Sequence, residues 1–308
     1  MIGFGFATSA PIVAAFLIQA SVYLAPCFPE LRAELIRRYS RVQIGAGLAV
    51  ASLLPYLVYS APLGLFSPAT LAKLVCLCSA VAFVYVLFPV PRREKFGWQD
   101  AIVIALTVTP MISGIGFLRE AYPGIGDPVD RLDVLGKLMI IALGASAILL
   151  VRGIEGTGLT LRVRAEDVSV GLKYFAMYLP VGLMVSLAIG HIEWTARELD
   201  GERALGLLGV GLGIFLVTAL AEEFCFRGVV QNLLTRTLGS GYAALAIASV
   251  FYGAVHLSFG YFPNWKHVVA STILGWFCGL AYARSGSVVP GMITHTLVVV
   301  VWTFLFRP

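Results

Sequence analysis

Residues 204–227 read ALGLLGVGLGIFLVTALAEEFCFR, and this stretch decides the fold. Its first part, Ala204 to Ala221, carries no charge and approaches the length of about 20 mainly apolar residues that a membrane-spanning helix needs. Two adjacent acids, Glu222 and Glu223, then stand where the chain still reads as embedded helix. A carboxylate at bilayer depth costs about 2.5–3.5 kcal/mol even on the lenient insertion scale, so a doublet there calls for a reason. The other acids of the chain fall in connecting stretches or at helix ends. Arg227 follows the doublet, and His256 and His295 stand in later apolar segments. Buried acids beside histidines on neighbouring apolar helices suggest proton-transfer chemistry inside a membrane.

The rest of the chain agrees with that reading. Of 308 residues, 59% are hydrophobic and only 13% charged, with a mean hydropathy of +0.88. Soluble domains carry about 25% charged residues, so the class is an integral, multi-pass membrane protein with no separate soluble domain. The net charge of +5 sits in short loops between apolar spans, which is the positive-inside pattern and excludes a nucleic-acid-binding surface. Five cysteines without CxxC spacing indicate neither a disulfide framework nor a thiolate metal site. Ile2 to Ala25 lacks a basic leader and is expected to be a retained helix.

Ten spans are expected, near 2–25, 42–64, 69–90, 101–118, 133–152, 173–191, 204–226, 241–259, 267–284 and 286–306; the last two are short, so eight to ten is the working count. With alternating spans, thirteen Lys and Arg fall on one set of loops and six on the other. The first set, which includes the turn at Gly239, is thus expected in the cytoplasm. Glu155 to Leu172 is the best internal boundary, dividing an N-terminal transmembrane region of unknown role (1–154) from a C-terminal core (155–308). Gly206, Gly209, Gly211 and Gly213 suggest close helix packing before the acids.

On a helix, Glu223 and Arg227 share a face and can pair, whereas Glu222 is turned about 100° away. One carboxylate is then held ionised, and the other is free to act as a base. A structural ion-pair cluster is the competing reading. Tyr252 lies four residues before His256 and could orient its imidazole. Glu222 and His256 each lie ~23–26 Å from the turn at Gly239–Gly241, and so at one depth. His295 lies ~12 Å from the Ser285–Ser287 turn and joins them only if the first hairpin extends further. His191 and His267 read as interface residues.

Three motifs in order carry a resemblance: EExxxR (Glu222 to Arg227), an aromatic four residues before a histidine (Tyr252, His256), and GSVVPGMITH ending at His295. Together they resemble the CAAX prenyl endopeptidase and bacteriocin-processing family (CPBP, or Abi) of intramembrane proteases, over about residues 165–308. The resemblance implies an all-α transmembrane bundle with catalytic residues Glu222, Glu223, Arg227, His256 and His295. It implies an endopeptidase acting near the cytoplasmic side, with Glu222 and His256 activating water and His295 helping to hold the oxyanion. Two positions depart from the family pattern: Tyr252 replaces the usual phenylalanine, and Val299 stands where Asn or Asp is usual. No obligatory cofactor is expected; zinc, held by one Glu and two His, is the alternative. Expected partners are a peptide or protein substrate, with or without a lipid modification, and membrane lipids; nucleic acid is not expected. The expected location is a bacterial inner membrane.

The same residues admit other readings. A proton-coupled carrier could use the same cluster, although inverted repeats are not evident. A non-catalytic scaffold of the same fold would account for Val299. Gly124-Ile125-Gly126-Asp127 matches the GxGD of intramembrane aspartic proteases but lies in a charged loop with no second aspartate in a span.

Overall fold

Short polar residues and proline set where the apolar segments begin. Ser40 accepts from the Gln43 N–H while the Gln43 side chain accepts from the Ser40 N–H, a reciprocal cap. Ser67, Asp200, Ser240 and Asn264 cap later helices through single side-chain acceptors. At the other ends, Gly239 and Gly286 adopt left-handed φ of 68° and 67° and close the turns between helices.

The computed structural model describes residues 6–92, 94–112, 115–126, 132–195 and 200–307. In chain order the described helices are α1 (Phe6–Leu24), α2 (Pro29–Arg38), α3 (Arg41–Ser60), α4 (Pro68–Leu87), α5 (Trp98–Val108), α6 (Phe117–Ala121), α7 (Asp133–Arg152), α8 (Ala165–Ala188), α9 (Gly201–Leu238), α10 (Gly241–Ala254), α11 (Trp265–Ser285) and α12 (Val289–Leu305). The protein is an all-α, polytopic membrane bundle. Six of these helices (α1, α3, α4, α7, α8 and α9) are long and apolar enough to cross a membrane, and α10 and α12 are apolar but shorter. Among the described residues, strand is confined to a two-residue antiparallel ladder that pairs Glu193 with Arg307 and Trp194 with Phe306.

Several boundaries differ from the sequence expectation. The expected span 101–118 is instead the 11-residue α5, ended by a tight turn containing Pro110, as proline's missing N–H and fixed φ favour. The expected boundary segment 155–172 is partly helix: α8 starts at Ala165, with the Arg164 N–H donating to Asp167. The expected span 241–259 stops at Ala254. The span 204–226 continues to Leu238, because nothing after the acid doublet breaks it before Gly239. The glycine run before the acids is only partly used: an added Cβ at Gly211 would stand 3.5 Å from Val300 of α12, whereas those at Gly206, Gly209 and Gly213 would meet nothing within 4 Å, and Leu205, Leu208 and Leu212 are exposed. Asp127 of the GxGD match lies outside the described residues, as do Arg93, Arg131 and Arg197 of the loop-charge count.

Two compact units divide between Glu155 and Gly156, with Glu94–Phe96 joining the second. In the first, α1, α3, α4 and α7 pack together, and a buried ion pair links α5 to the end of α7. Arg152 reaches Asp100 at 2.5 Å, and Asp100 also accepts from the Tyr85 hydroxyl at 2.8 Å and the Gly97 N–H at 2.8 Å. In the second, α10 packs along α11, and α8 lies against α11 and α12. Tyr178, Leu274, Cys278 and Val298 form its buried apolar centre.

Candidate active site

The acid doublet lies in the middle of α9, within a short α-helical stretch, Leu220–Glu223. π-helical turns flank it on both sides, at Ile214–Ala219 and Phe224–Gln231. Such widened turns leave part of the backbone ladder poorly paired and often mark functional positions. Single-sequence periodicity carries no signal for them.

Glu223 faces inward. It is fully buried, and its Oε2 lies 3.0 Å from Arg227 Nε, itself 1% exposed. The contact is an ion pair of poor hydrogen-bond alignment, and the two Nη atoms of Arg227 find no oxygen acceptor among the described residues. The guanidinium lies instead over the Tyr252 ring, 4.7 Å from its centroid, an electrostatically favourable placement. The other oxygen of Glu223, Oε1, is 3.2 Å from His295 Nδ1. An ionised, arginine-paired carboxylate accepts from that nitrogen, so Nδ1 carries a proton and Nε2 faces Glu222. Gly291 of α12 makes this approach possible, since a Cβ there would stand 2.7 Å from Glu223 Oε2.

Glu222 has a different environment on the same helix. Its side chain keeps about a quarter of its surface exposed, and Oε2 accepts from the Tyr252 hydroxyl at 2.8 Å. His256 Nε2 is 4.0 Å from Oε1, and His295 Nε2 is 4.0 Å from Oε2. His256 Nδ1 donates to the Tyr252 carbonyl at 2.7 Å, which leaves Nε2 directed at the carboxylate without its proton in the neutral ring. A water placed ~2.8 Å from both Glu222 Oε1 and His256 Nε2 would satisfy ordinary hydrogen-bond distances.

The structure therefore brings Glu222, Glu223, Arg227, His256 and His295 into one cluster. Tyr252, read from the sequence as an orienter of His256, does that through its backbone carbonyl, and its hydroxyl goes to Glu222. His191 and His267 turn out to continue the cluster. The His256 and His267 ring centroids are 5.3 Å apart, those of His267 and His191 5.1 Å, and His191 packs on Trp302 at 5.6 Å. His191, just past the end of α8, is packed, with 7% of its surface exposed. His267 is half-buried and stacks on Phe259. Tolerance for close approach is the missed signal: Gly275, Gly279 and Gly291 stand where α11 and α12 meet the cluster or its flanks.

The donor set does not fit a resident metal. Among the described residues no group of three or more His, Cys, Asp or Glu side chains is arranged to hold an ion. The Glu222 to imidazole separations of 4.0 Å also exceed the ~3.4 Å between neighbouring ligand atoms of a tetrahedral zinc with bonds near 2.1 Å.

A polytopic helical membrane protein with an acid–imidazole cluster inside its second unit is the class these observations define. Residues 204–301 match the family model described as Type II CAAX prenyl endopeptidase Rce1-like. That stretch, roughly a third of the chain, contains every member of the cluster except His191, and it places this region in the CAAX-type intramembrane protease family. No curated protein and no solved structure matches the chain.

Proposed function

We propose that the second unit hydrolyses a peptide bond within the membrane by a glutamate-activated water, with no obligatory metal. Glu222 Oε1 and the lone pair of His256 Nε2 hold the water between them. As the water oxygen bonds to the scissile carbonyl carbon, its proton passes to Glu222 and the carbonyl π bond opens to an oxyanion. His295 Nε2, on the opposite oxygen of Glu222, is the donor nearest the developing charge when protonated. Glu222 then returns the proton to the leaving nitrogen as the C–N bond breaks. Glu223 and Arg227 do not touch the reacting atoms in this scheme. Glu223 orients His295, and Arg227 compensates the charge of Glu223.

The observation that carries the reading is the unequal treatment of two adjacent carboxylates. One is paired and buried, and the other is partly exposed between two imidazoles. A carrier would also use a buried acid, but the match of residues 204–301 favours hydrolysis.

The scissile bond is proposed to lie near the end of the bundle that carries His256 and Lys266. His256 lies two residues past the end of α10, and His267 is in the first turn of α11. The opposite end of α10 is ~20 Å away, at 14 residues of 1.5 Å rise. The loop charges put the Lys266 end outside. Cleavage near the cytoplasmic side therefore requires the reverse orientation, which single-cysteine labelling at Lys266 and Ser240 in sealed vesicles from a bacterial inner membrane would decide.

The activity test uses the full chain in liposomes with a quenched peptide bearing a farnesylated cysteine three residues from its C-terminus, and the same peptide without the lipid. Cleavage that Glu222→Gln abolishes supports the proposal, and the lipid-free control reports whether the prenyl group matters. Wild-type-like cleavage by Glu222→Gln removes Glu222 as the base. Solute flux without cleavage would favour the carrier, and neither activity would favour the scaffold.

A further inference from the structure

We propose that Tyr252 is a positioning residue of this hydrolysis, its hydroxyl holding Glu222 Oε2 so that Oε1 alone is presented to the water and His256. The inference rests on the proposed function and adds a residue to it. No arginine or lysine pairs with Glu222, because Arg227 is turned to Glu223, and the two imidazoles stand off at 4.0 Å. A glutamate side chain left to itself samples several rotamers, and ordering it costs conformational entropy. The phenol supplies that order. It donates to Oε2 at 2.8 Å from a ring that is only 2% exposed.

The ring is clamped on several sides, so its hydroxyl is a fixed point. The Arg227 guanidinium lies over one face, and the Phe226 ring meets it edge-on with centroids 5.0 Å apart. The His256 ring stands 4.9 Å away. Gly275 of α11 admits the ring, since a Cβ there would come to 2.9 Å from Tyr252 Cδ1. A phenylalanine would fill the same space and keep all of these contacts, but would leave Oε2 without its donor.

The consequence is that the two oxygens of Glu222 differ. Oε2 has its electron density drawn into the phenol hydrogen bond, whereas Oε1 meets only His256 Nε2 at 4.0 Å. The proton of the attacking water passes to Oε1 and later to the leaving nitrogen. Tyr252 keeps its own proton throughout.

Tyr252→Phe isolates the hydroxyl. With the full chain in liposomes and the farnesylated quenched peptide, kcat is expected to fall about 10- to 100-fold, less than the ~10²–10³-fold lost with a donor that touches the reacting atoms themselves. KM should stay within about twofold and the melting temperature close to wild type, because packing is unchanged. A kcat within threefold of wild type, in a preparation where Glu222→Gln is inactive, overturns the inference and leaves the proposed function standing. A raised KM with unchanged kcat, or a fall in kcat matched by loss of folded protein, assigns a substrate-binding or structural role and overturns it as well. An inert wild type removes the reading and the inference together.

Discussion

Removing Arg227 should be far more damaging than its distance from the reacting atoms suggests. At 3.0 Å from Glu223 Oε2, the guanidinium contributes about 5.5 kcal/mol of Coulomb attraction at an effective dielectric of about 20. The desolvation of both ions opposes that, so the pair is close to neutral as a pair. Arg227→Ala removes the attraction but leaves Glu223, fully buried, with His295 Nδ1 as its remaining partner. Breaking a buried pair in this one-sided way costs about 3–5 kcal/mol, and the vacated volume beside the Tyr252 ring adds to it. Arg227→Met/Glu223→Gln removes both charges with little change in size, and should recover most of the loss. SDS titration of the bicelle-embedded protein, followed by tryptophan fluorescence, measures all three. A single variant within 1 kcal/mol of wild type, or a double variant no more stable than Arg227→Ala, would refute the argument that Glu223 is charged and depends on Arg227.

Other expectations follow from the same geometry. Glu222→Gln should lose more than a thousandfold in peptide cleavage while melting like the wild type, because its side chain is partly exposed and no arginine or lysine pairs with it. His256→Ala should do likewise, with retained folding checked by size exclusion in detergent. Gly291→Ala should lower stability by about 1–3 kcal/mol and reduce cleavage, since the new Cβ collides with Glu223 Oε2 at 2.7 Å. His191, outside the spans, has its pKa lowered from 6.5 by burial and by the Lys266 ammonium. The unfolded chain therefore binds that proton first, and stability present above pH 6.5 is lost as pH falls below it. His191→Gln should flatten this acid limb, measured by melting temperature between pH 7.5 and 5.

Much of the bundle was legible because lipid imposes simple rules. Apolar runs of about span length with few charges mark α1, α3, α4, α7 and most of α9 directly. The i,i+4 relation of Glu223 and Arg227 and the shared depth of Glu222 and His256 also follow from helix geometry alone, and the structure places all four in one cluster. What periodicity could not give are features set by tertiary contact. The π-helical turns around the doublet belong to this group, as does the route of the Tyr252 hydroxyl to Glu222 in preference to His256. The glycine run 206–213 misled for a related reason. Small residues permit close approach without requiring it: of that run Gly211 alone meets a neighbour, Val300, and the glycines that admit the cluster, Gly275 and Gly291, lie on other helices.

Two identical side chains one residue apart thus come to play opposite parts, and the helix they share explains how. The 100° step between them sends Glu223 towards Arg227 and Gly291, where no exposed surface remains, and Glu222 towards Tyr252 and His256, where a quarter of its surface stays open. His295 bridges the two, with one ring nitrogen 3.2 Å from Glu223 and the other 4.0 Å from Glu222. Any shift of α12 that loosened the first contact would also move the second, so the buried ion pair sets the position of an imidazole at the open carboxylate. The stability of the bundle and the geometry of the proposed base are in this way coupled through a single ring. That coupling is why a change at Arg227, which touches none of the proposed reacting atoms, should be felt at all of them.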